Sequence, residues 1–465
     1  MGLGLFGGGV AVARHLVGAG ARVLVTDLRD ERALAESLDA IAGLRVELRL
    51  GEHRACDFES ADVVVANPAV APSSPFLALA RSAGARITSE LELFVAACPA
   101  RQVVAVTGTN GKSTTATLIG DMLRCAGRTV HVGGNIGRSL LDGLERIAPD
   151  DAVVLEVSSY QLEVLDPGRP WPEVAVATAI SPDHLERHGS MEAYVAAKRR
   201  LFELQGEGGV AILNAGDPRV AAFAGATRAR VRRFSRLRTD LEYVVAPRGG
   251  APWLVERLGA ETPLAEASSL RIPGDFHRDN ALAAAAAARA LAAGADAVAT
   301  ALRAFRGIAH RLQPLPPVGG VRVFDNAVST VPESTCSAIG AVTGPVRLIA
   351  GGKSKGLDLG ALAKAIAERV VRCYAYGSAA AELAAAARAA GADAVVHPTL
   401  RSAFAAALAD ARPGEALLYS PAFPSHDQYR NFLDRGSEFL GLVAAARESR
   451  GEGAGDVASA SVERP

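Results

Sequence analysis

Five side chains set the chemical question: Lys112, Ser113, Glu156, His184 and Lys198. The first two close the stretch Val106-Thr107-Gly108-Thr109-Asn110-Gly111-Lys112-Ser113-Thr114, which has the make-up of a phosphate cradle. The common spacing is G-x-x-x-x-G-K-[ST], and here Val106 stands where the first glycine belongs. Gly108 and Gly111 let backbone N–H groups converge on phosphate oxygens at a helix N-terminus. Lys112 is then placed for the β and γ phosphates, and the Ser113 hydroxyl for Mg²⁺. The competing possibility is a plain strand-turn-helix corner.

Glu156 ends the apolar run "AVVLE", where a carboxylate is costly without a partner. In a doubly wound sheet it emerges on the same carboxyl edge as the cradle, beside a magnesium ion. The alternative is a helix N-terminal charge. Asp183 and His184 follow another apolar run and are expected at that edge too. Lys198 falls on a predicted helix with Tyr194 one turn before it. On pattern alone, a lone histidine is more often structural and a lone helical lysine solvated.

These residues need a scaffold, and 465 residues supply enough chain for about three domains. Short β-branched runs alternate with alanine-rich helical stretches in three successive segments. The expected fold is α/β: a Rossmann-like domain over 1–100, a central P-loop ATPase-type parallel sheet over 101–307, and a Rossmann-like domain over 308–446. Residues 447–465 are small and polar and are expected to be a disordered tail. The N-terminal "GLGLFGGG" offers Gly2, Gly4 and Gly7 as a dinucleotide-type fingerprint, with Asp27 following. Such a fingerprint should follow a strand. Either the first sheet lacks a strand at its expected core position, or the start lies elsewhere.

Near the C-terminus, "AGGKSKG" offers Lys353 and Lys355 to an anion, and "SPAFPSHDQYRNFLDRG" puts Ser425 in a turn before a helix with Tyr429 and Phe432. A small acidic substrate fits between a lysine and a hydroxyl there. Surface lysines and an ordinary amphipathic helix are the alternative. Acids and bases balance at 50 each, which argues against a nucleic-acid or membrane-surface partner. The five cysteines form no C-x-x-C pair, so neither zinc nor disulfides are expected, and a reducing cytoplasm fits. No apolar run reaches membrane-spanning length.

Taken in order, "GTNGKST", "EVSSYQLE", "DHLERHG", "YVAAK", His310-Arg311 and "SPAFPSHDQYRNFLDRG" resemble the motifs of the Mur ligases. The resemblance runs from Gly2 to about Ala445. Within the family, "SSYQLE" and the last motif resemble the branch that adds D-glutamate to UDP-N-acetylmuramoyl-L-alanine. The resemblance implies an ATP-dependent ligase of peptidoglycan precursor synthesis, a monomer, working through an acyl phosphate. It implies two magnesium ions, held by Ser113 and Glu156 and by His184 and Lys198, with Lys198 carbamylated by CO₂. It implies ATP contacts from Gly108, Thr109, Asn110, Gly111, Lys112, Ser113, Thr114, Asn280, Arg311 and Asn326. The uridine substrate falls to Leu5, Phe6, Asp27, Arg29, Asn67, Asn135, Ser158 and Gln161. D-Glutamate falls to Thr330, Lys355, Ser425 and Phe432.

Two departures from the family pattern stand out. Where the family reads D-S-K-A-T-N, this chain reads Asp325-Asn326-Ala327-Val328-Ser329-Thr330, with Val328 at the lysine position and Lys353 as the candidate replacement. The usual G-x-H-N-x-x-N is here Gly274-Asp275-Phe276-His277-Arg278-Asp279-Asn280, matching only at its ends. The readings set against this one are a folylpolyglutamate-type glutamyl ligase, a nicotinamide-dependent dehydrogenase resting on the glycine fingerprint, and a regulatory P-loop ATPase.

Overall fold

The computed structural model describes residues 1–4, 7–136, 139–272, 274–354 and 358–453. In the first domain β1 (Val23–Asp27) pairs parallel with β2 (Val46–Leu50), and β3 (Val63–Val65) pairs parallel with β4 (Arg86–Thr88). The place between the two pairs is taken by the first residues of the chain. The Met1 amine donates to the Val65 carbonyl at 3.0 Å, Asn67 N–H donates to Met1 O at 3.0 Å, and Gly2 N–H donates to Thr26 O at 2.7 Å. A stub of backbone thus stands at the core position for which the sequence offers no full strand. The helix Gly8–Gly18 lies directly on this stub: a Cβ at Gly9 would collide with the Leu3 carbonyl.

Among the described residues the central sheet has nine strands: β5 (Gln102–Thr107), β6 (Val130–Gly134), β7 (Ala152–Glu156), β8 (Val174–Ala177), β9 (Val210–Asn214), β10 (Arg230–Ser235), β11 (Tyr243–Arg248), β12 (Ala251–Glu256) and β13 (Thr262–Glu266). Their order is β13-β12-β11-β10-β9-β8-β5-β7-β6. From β6 through β11 neighbouring strands are parallel, whereas β11-β12-β13 is an antiparallel meander. Strands β7, β8 and β9 are buried along their whole length, which is why they read as unbroken apolar runs rather than alternating ones. The meander escapes sequence reading because Pro247, Pro252 and Pro263 lie inside its strands and look like breakers.

The three domains fold as two compact units. The first and central domains share one, Met1–Leu270 with Phe276–Ala304. Its core explains the union: Ala11, Leu91, Phe94 and Val95 of the first segment's helices pack in one cluster with Val103, Val153 and Ala175 of the central sheet. The second unit is Arg271–Asp275 with the chain from Phe305 onward. Its sheet contains β14 (Gln313–Val318), β15 (Val321–Asp325), β16 (Val346–Gly351), β17 (Val370–Tyr376), β18 (Ala394–His397) and β19 (Ala416–Ala422), in the order β14-β15-β19-β16-β17-β18. Only β14 runs antiparallel to its neighbour. The last helix, Phe432–Glu448, continues past residue 446, and Arg447 is bonded back to the Glu452 carbonyl at 2.9 Å. Residues 454–465, most of the expected tail, lie outside the described residues.

Candidate active site

The loop after β5 turns into the helix Lys112–Cys125 through two glycines that no other residue could replace cheaply. Gly111 is left-handed (φ 87°), and a Cβ there would strike Asn280 Oδ1; a Cβ at Gly108 would strike Thr178 Oγ1. Thr178 is the loop's tie-rod: its hydroxyl reaches the Asn110 carbonyl at 2.6 Å and the Thr107 carbonyl at 3.2 Å. Thr109 N–H donates to Ala179 O, and Asn110 lies exposed with its amide 3.4 Å from Ser181 Oγ. Thr114 is buried in the first helical turn. The Lys112 ammonium is folded over the loop, 2.7 Å from the Thr109 carbonyl.

Glu156 ends β7, in register with Val106 of β5, so the strand pairing itself carries the carboxylate to the loop. It is 3% exposed. Ser113 Oγ donates to its Oε2 at 2.5 Å and Asn135 Nδ2 to its Oε1 at 3.0 Å. Asn135 is brought there by its own N–H, which donates to the Glu156 carbonyl. A carboxylate and a hydroxyl side by side are hard oxygen donors and fit one magnesium ion.

Lys198, on the helix Met191–Glu203, is 1% exposed. Its Nζ donates to the Gly108 carbonyl at 2.7 Å and stands 4.5 Å over the Tyr194 ring. Tyr194 OH in turn meets Thr109 Oγ1 at 2.9 Å. Burial first, and then the nearby Lys112 charge, push the Lys198 ammonium down to about 6, with Asp183 and Glu156 opposing the shift. Four charged groups at one sheet edge therefore act on each other. His184 is the left-handed N-cap (φ 52°) of the short helix Leu185–His188; its ring is half exposed, 3.4 Å from Asp183 and 5.0 Å from the Tyr160 ring. Among the described residues no three His, Cys, Asp or Glu side chains gather as a ready-made metal cluster.

Other expected site residues divide by unit. Ser158 and Gln161 form a reciprocal capping box at the start of the helix Ser159–Val164, so the structure gives both a capping job. Buried Asp27 accepts from Gly4 N–H at 3.2 Å and Arg29 N–H at 2.9 Å, and Arg29 is exposed beside it. Asn67 packs against Gly2 and Gly4. Leu5 and Phe6 lie outside the described residues, as does Lys355.

In the second unit, the parallel strands β15, β16 and β19 bring Asn326, Lys353 and Ser425 to one edge. Asn326 is buried, accepting from Leu312 N–H and donating to Ser420 Oγ, both at 3.0 Å. Arg311 is exposed, and Val328 N–H donates to the His310 carbonyl. Lys353 N–H donates to the Pro424 carbonyl at 2.8 Å, beside buried Ser425. Thr330 and Phe432 are half buried, Phe432 opening the last helix.

Sequence reasoning missed Thr178, His188 and Arg187, whose partners are distant in the chain. The "RG" of Arg435-Gly436 closes the last sequence motif, and its role appears only in the folded chain. Arg435 is wholly buried, donating to the Phe423 carbonyl at 2.9 Å and the Ala327 carbonyl at 3.1 Å. A Cβ at Gly436 would strike the His310 ring, which is itself held by Asp325 at 2.6 Å.

Fold and site define a three-domain α/β enzyme that uses a nucleoside triphosphate and a divalent cation. Domain by domain, the chain matches the models of the Mur ligase MurD-like N-terminal domain (residues 1–89), the Mur ligase middle domain (106–288) and the Mur ligase glutamate ligase domain (310–423). The chain belongs to the Mur ligase family, which are ATP-dependent ligases. It is 39% identical to the UDP-N-acetylmuramoylalanine--D-glutamate ligase of Pelotomaculum thermopropionicum over 95% of this chain and 96% of that one. It is 38% identical to the enzyme of the same name from Geotalea uraniireducens, covering 97% and 98%. Among solved structures, the UDP-N-acetylmuramate-alanine ligase of Thermotoga maritima shares the fold with a TM-score of 0.60 at 20% identity, over 94% and 97% of the two chains. Escherichia coli FolC in complex with ADP shares it with a TM-score of 0.56 at 20% identity, over 77% and 92%.

Proposed function

We propose that this chain joins D-glutamate to UDP-N-acetylmuramoyl-L-alanine at the expense of ATP, in peptidoglycan precursor synthesis. One observation carries the chemistry: a buried lysine poised on the phosphate loop's own carbonyl, one loop away from the Ser113–Glu156 pair. The relatives' names support the choice of amino acid and uridine substrate.

The roles follow from charge. A substrate carboxylate and a γ-phosphate repel each other, so their union needs positive charge on both. Lys112 supplies it at the phosphates, where Gly108, Thr109, Asn110, Gly111 and Thr114 present the loop. Ser113 and Glu156 would hold the magnesium ion that adds Lewis-acid charge to the phosphate oxygens. A second ion needs another anionic oxygen beside His184. A carbamate formed from CO₂ on Lys198 provides it, and burial supports this because it keeps the amine neutral and nucleophilic. Asn135 then orients Glu156 and borders the muramoyl end, with Ser158 and Gln161 shaping that wall through their cap. Asp27, Arg29 and Asn67, with Leu5 and Phe6, take the uridine diphosphate. Asn280, Arg311 and Asn326 take the adenine nucleotide, and Thr330, Lys355, Ser425 and Phe432 take D-glutamate, whose amine attacks the acyl phosphate.

The protein is proposed to act as a cytoplasmic monomer without nucleic acid. Its five free thiols and its need for ATP support that compartment. None of the described helices is long and apolar enough to cross a membrane. The test is phosphate release and product mass with the uridine substrate, ATP and either D- or L-glutamate. The expected result is an adduct with D-glutamate alone. Phosphate release indifferent to both organic substrates would overturn the assignment.

A further inference from the structure

The helix Leu185–His188 is only four residues long, yet it begins at His184. A single turn has little stability of its own, so its position must come from side chains that hold it. Arg187 does most of this. Its Nη2 donates to the Val70 carbonyl at 3.0 Å and lies 3.5 Å from the Pro68 carbonyl, while Nη1 lies 3.4 Å from the Ala69 carbonyl. Those three carbonyls follow Asn67 in the first domain. The same guanidinium pairs with Glu163 at 3.2 Å and covers the Tyr160 ring at 4.9 Å.

His188 fastens the other side of the turn. Its side chain is 1% exposed, with Nε2 at 3.0 Å from Ser159 Oγ and Nδ1 at 3.6 Å from the same Glu163. Its ring lies between Tyr160 and Tyr194. Glu163 thus pins both residues to the helix that starts three residues after Glu156 of β7.

We propose that Arg187 is a positioning residue that locks the Asn67–Val70 loop of the first domain to the His184 turn, so that one rigid link sets the distance between the uridine-holding and carboxylate-activating ends of the site. The inference rests on the functional reading above. A guanidinium suits the task because its planar fork can serve several carbonyls and a carboxylate at once, whereas a lysine offers a single point charge. Loosening the loop should weaken the substrate that spans both ends and the metal side it reports to, and should leave the amino-acid substrate alone.

The test is steady-state kinetics of Arg187→Ala, Arg187→Lys and Glu163→Gln against the wild-type chain, with Tm measured for each. In Arg187→Ala, KM for UDP-N-acetylmuramoyl-L-alanine and the Mg²⁺ concentration for half-maximal rate should each rise by about 10–100-fold. KM for D-glutamate should stay put, and Arg187→Lys and Glu163→Gln should fall between. If Arg187→Ala does not fold, the same split in the two milder variants decides the matter. Unchanged KM and Mg²⁺ dependence, or a uniform loss of kcat that merely follows Tm, would overturn the link. A wild-type chain with no D-glutamate ligase activity would instead overturn the functional reading, so the two failures are distinguishable.

Discussion

Lys198 has a carbonyl on one side, an aromatic face on another and the Lys112 charge nearby. The folded protein disfavours its charged form, whereas the unfolded chain does not. Between about 6 and the ordinary lysine value of 10.5 the unfolded chain therefore holds a proton that the folded one lacks. Stability should rise with pH across that window, and the penalty should be greatest below pH 6. Urea midpoints in CO₂-free, metal-free buffer between pH 6 and 9 should climb for the wild type relative to Lys198→Met. Parallel profiles would show that the burial has no electrostatic consequence. The residue's role was not legible in its own neighbourhood, since "YVAAKRRLF" reads as an ordinary helix face. The family resemblance singled it out, and the burial that suits it to the task is a tertiary property.

At the scale of elements, the phosphate loop was legible because backbone geometry dictates it. Glycines must fall where φ is positive or a neighbour leaves no room. Gly111→Ala should therefore cost about 1–2 kcal/mol from the left-handed backbone alone, plus displacement of Asn280. Gly84→Ala makes the control: its φ of 89° carries the same strain, but its Cβ meets open space. Both variants should lose Tm, Gly111→Ala by more because Asn280 must also move, yet only Gly111→Ala should lose binding of a magnesium-ATP analogue by calorimetry. Equal loss of binding in both, or in neither, would sever the loop's geometry from nucleotide binding. Thr178 had no signal at all. Its partners, the Thr107 and Asn110 carbonyls, lie 71 and 68 positions away, and only the β5–β8 pairing makes them neighbours. Ser158 and Gln161 gave the opposite difficulty: S-x-x-Q is a visible capping signature, and the cap is what the structure builds there.

For the whole molecule, separate cores have separate thermodynamic consequences. The cluster around Val153 and Phe202 belongs to the unit with the phosphate loop, while those around Leu418 and around Tyr419 belong to the other. The sequence announced three sheets through their apolar runs. It could not announce that the first two would share one core, because that depends on Ala11, Phe94 and Val95 facing the central sheet rather than solvent. Two units with distinct interiors should unfold in two calorimetric transitions. Leu418→Ala, deleting a fully buried side chain, should cost about 2–5 kcal/mol and lower only one of them. A magnesium-ATP analogue at about 100 times its Kd should add about 2.7 kcal/mol of stability, raising most the transition of the unit that carries the phosphate loop. Lys112→Ala should remove that ligand shift while leaving both transitions in place, since the residue serves the loop surface rather than a core. A single transition that moves as a whole under the mutation and the ligand alike would mean that the connections at Leu270–Arg271, Asp275–Phe276 and Ala304–Phe305 couple the two interiors into one cooperative body.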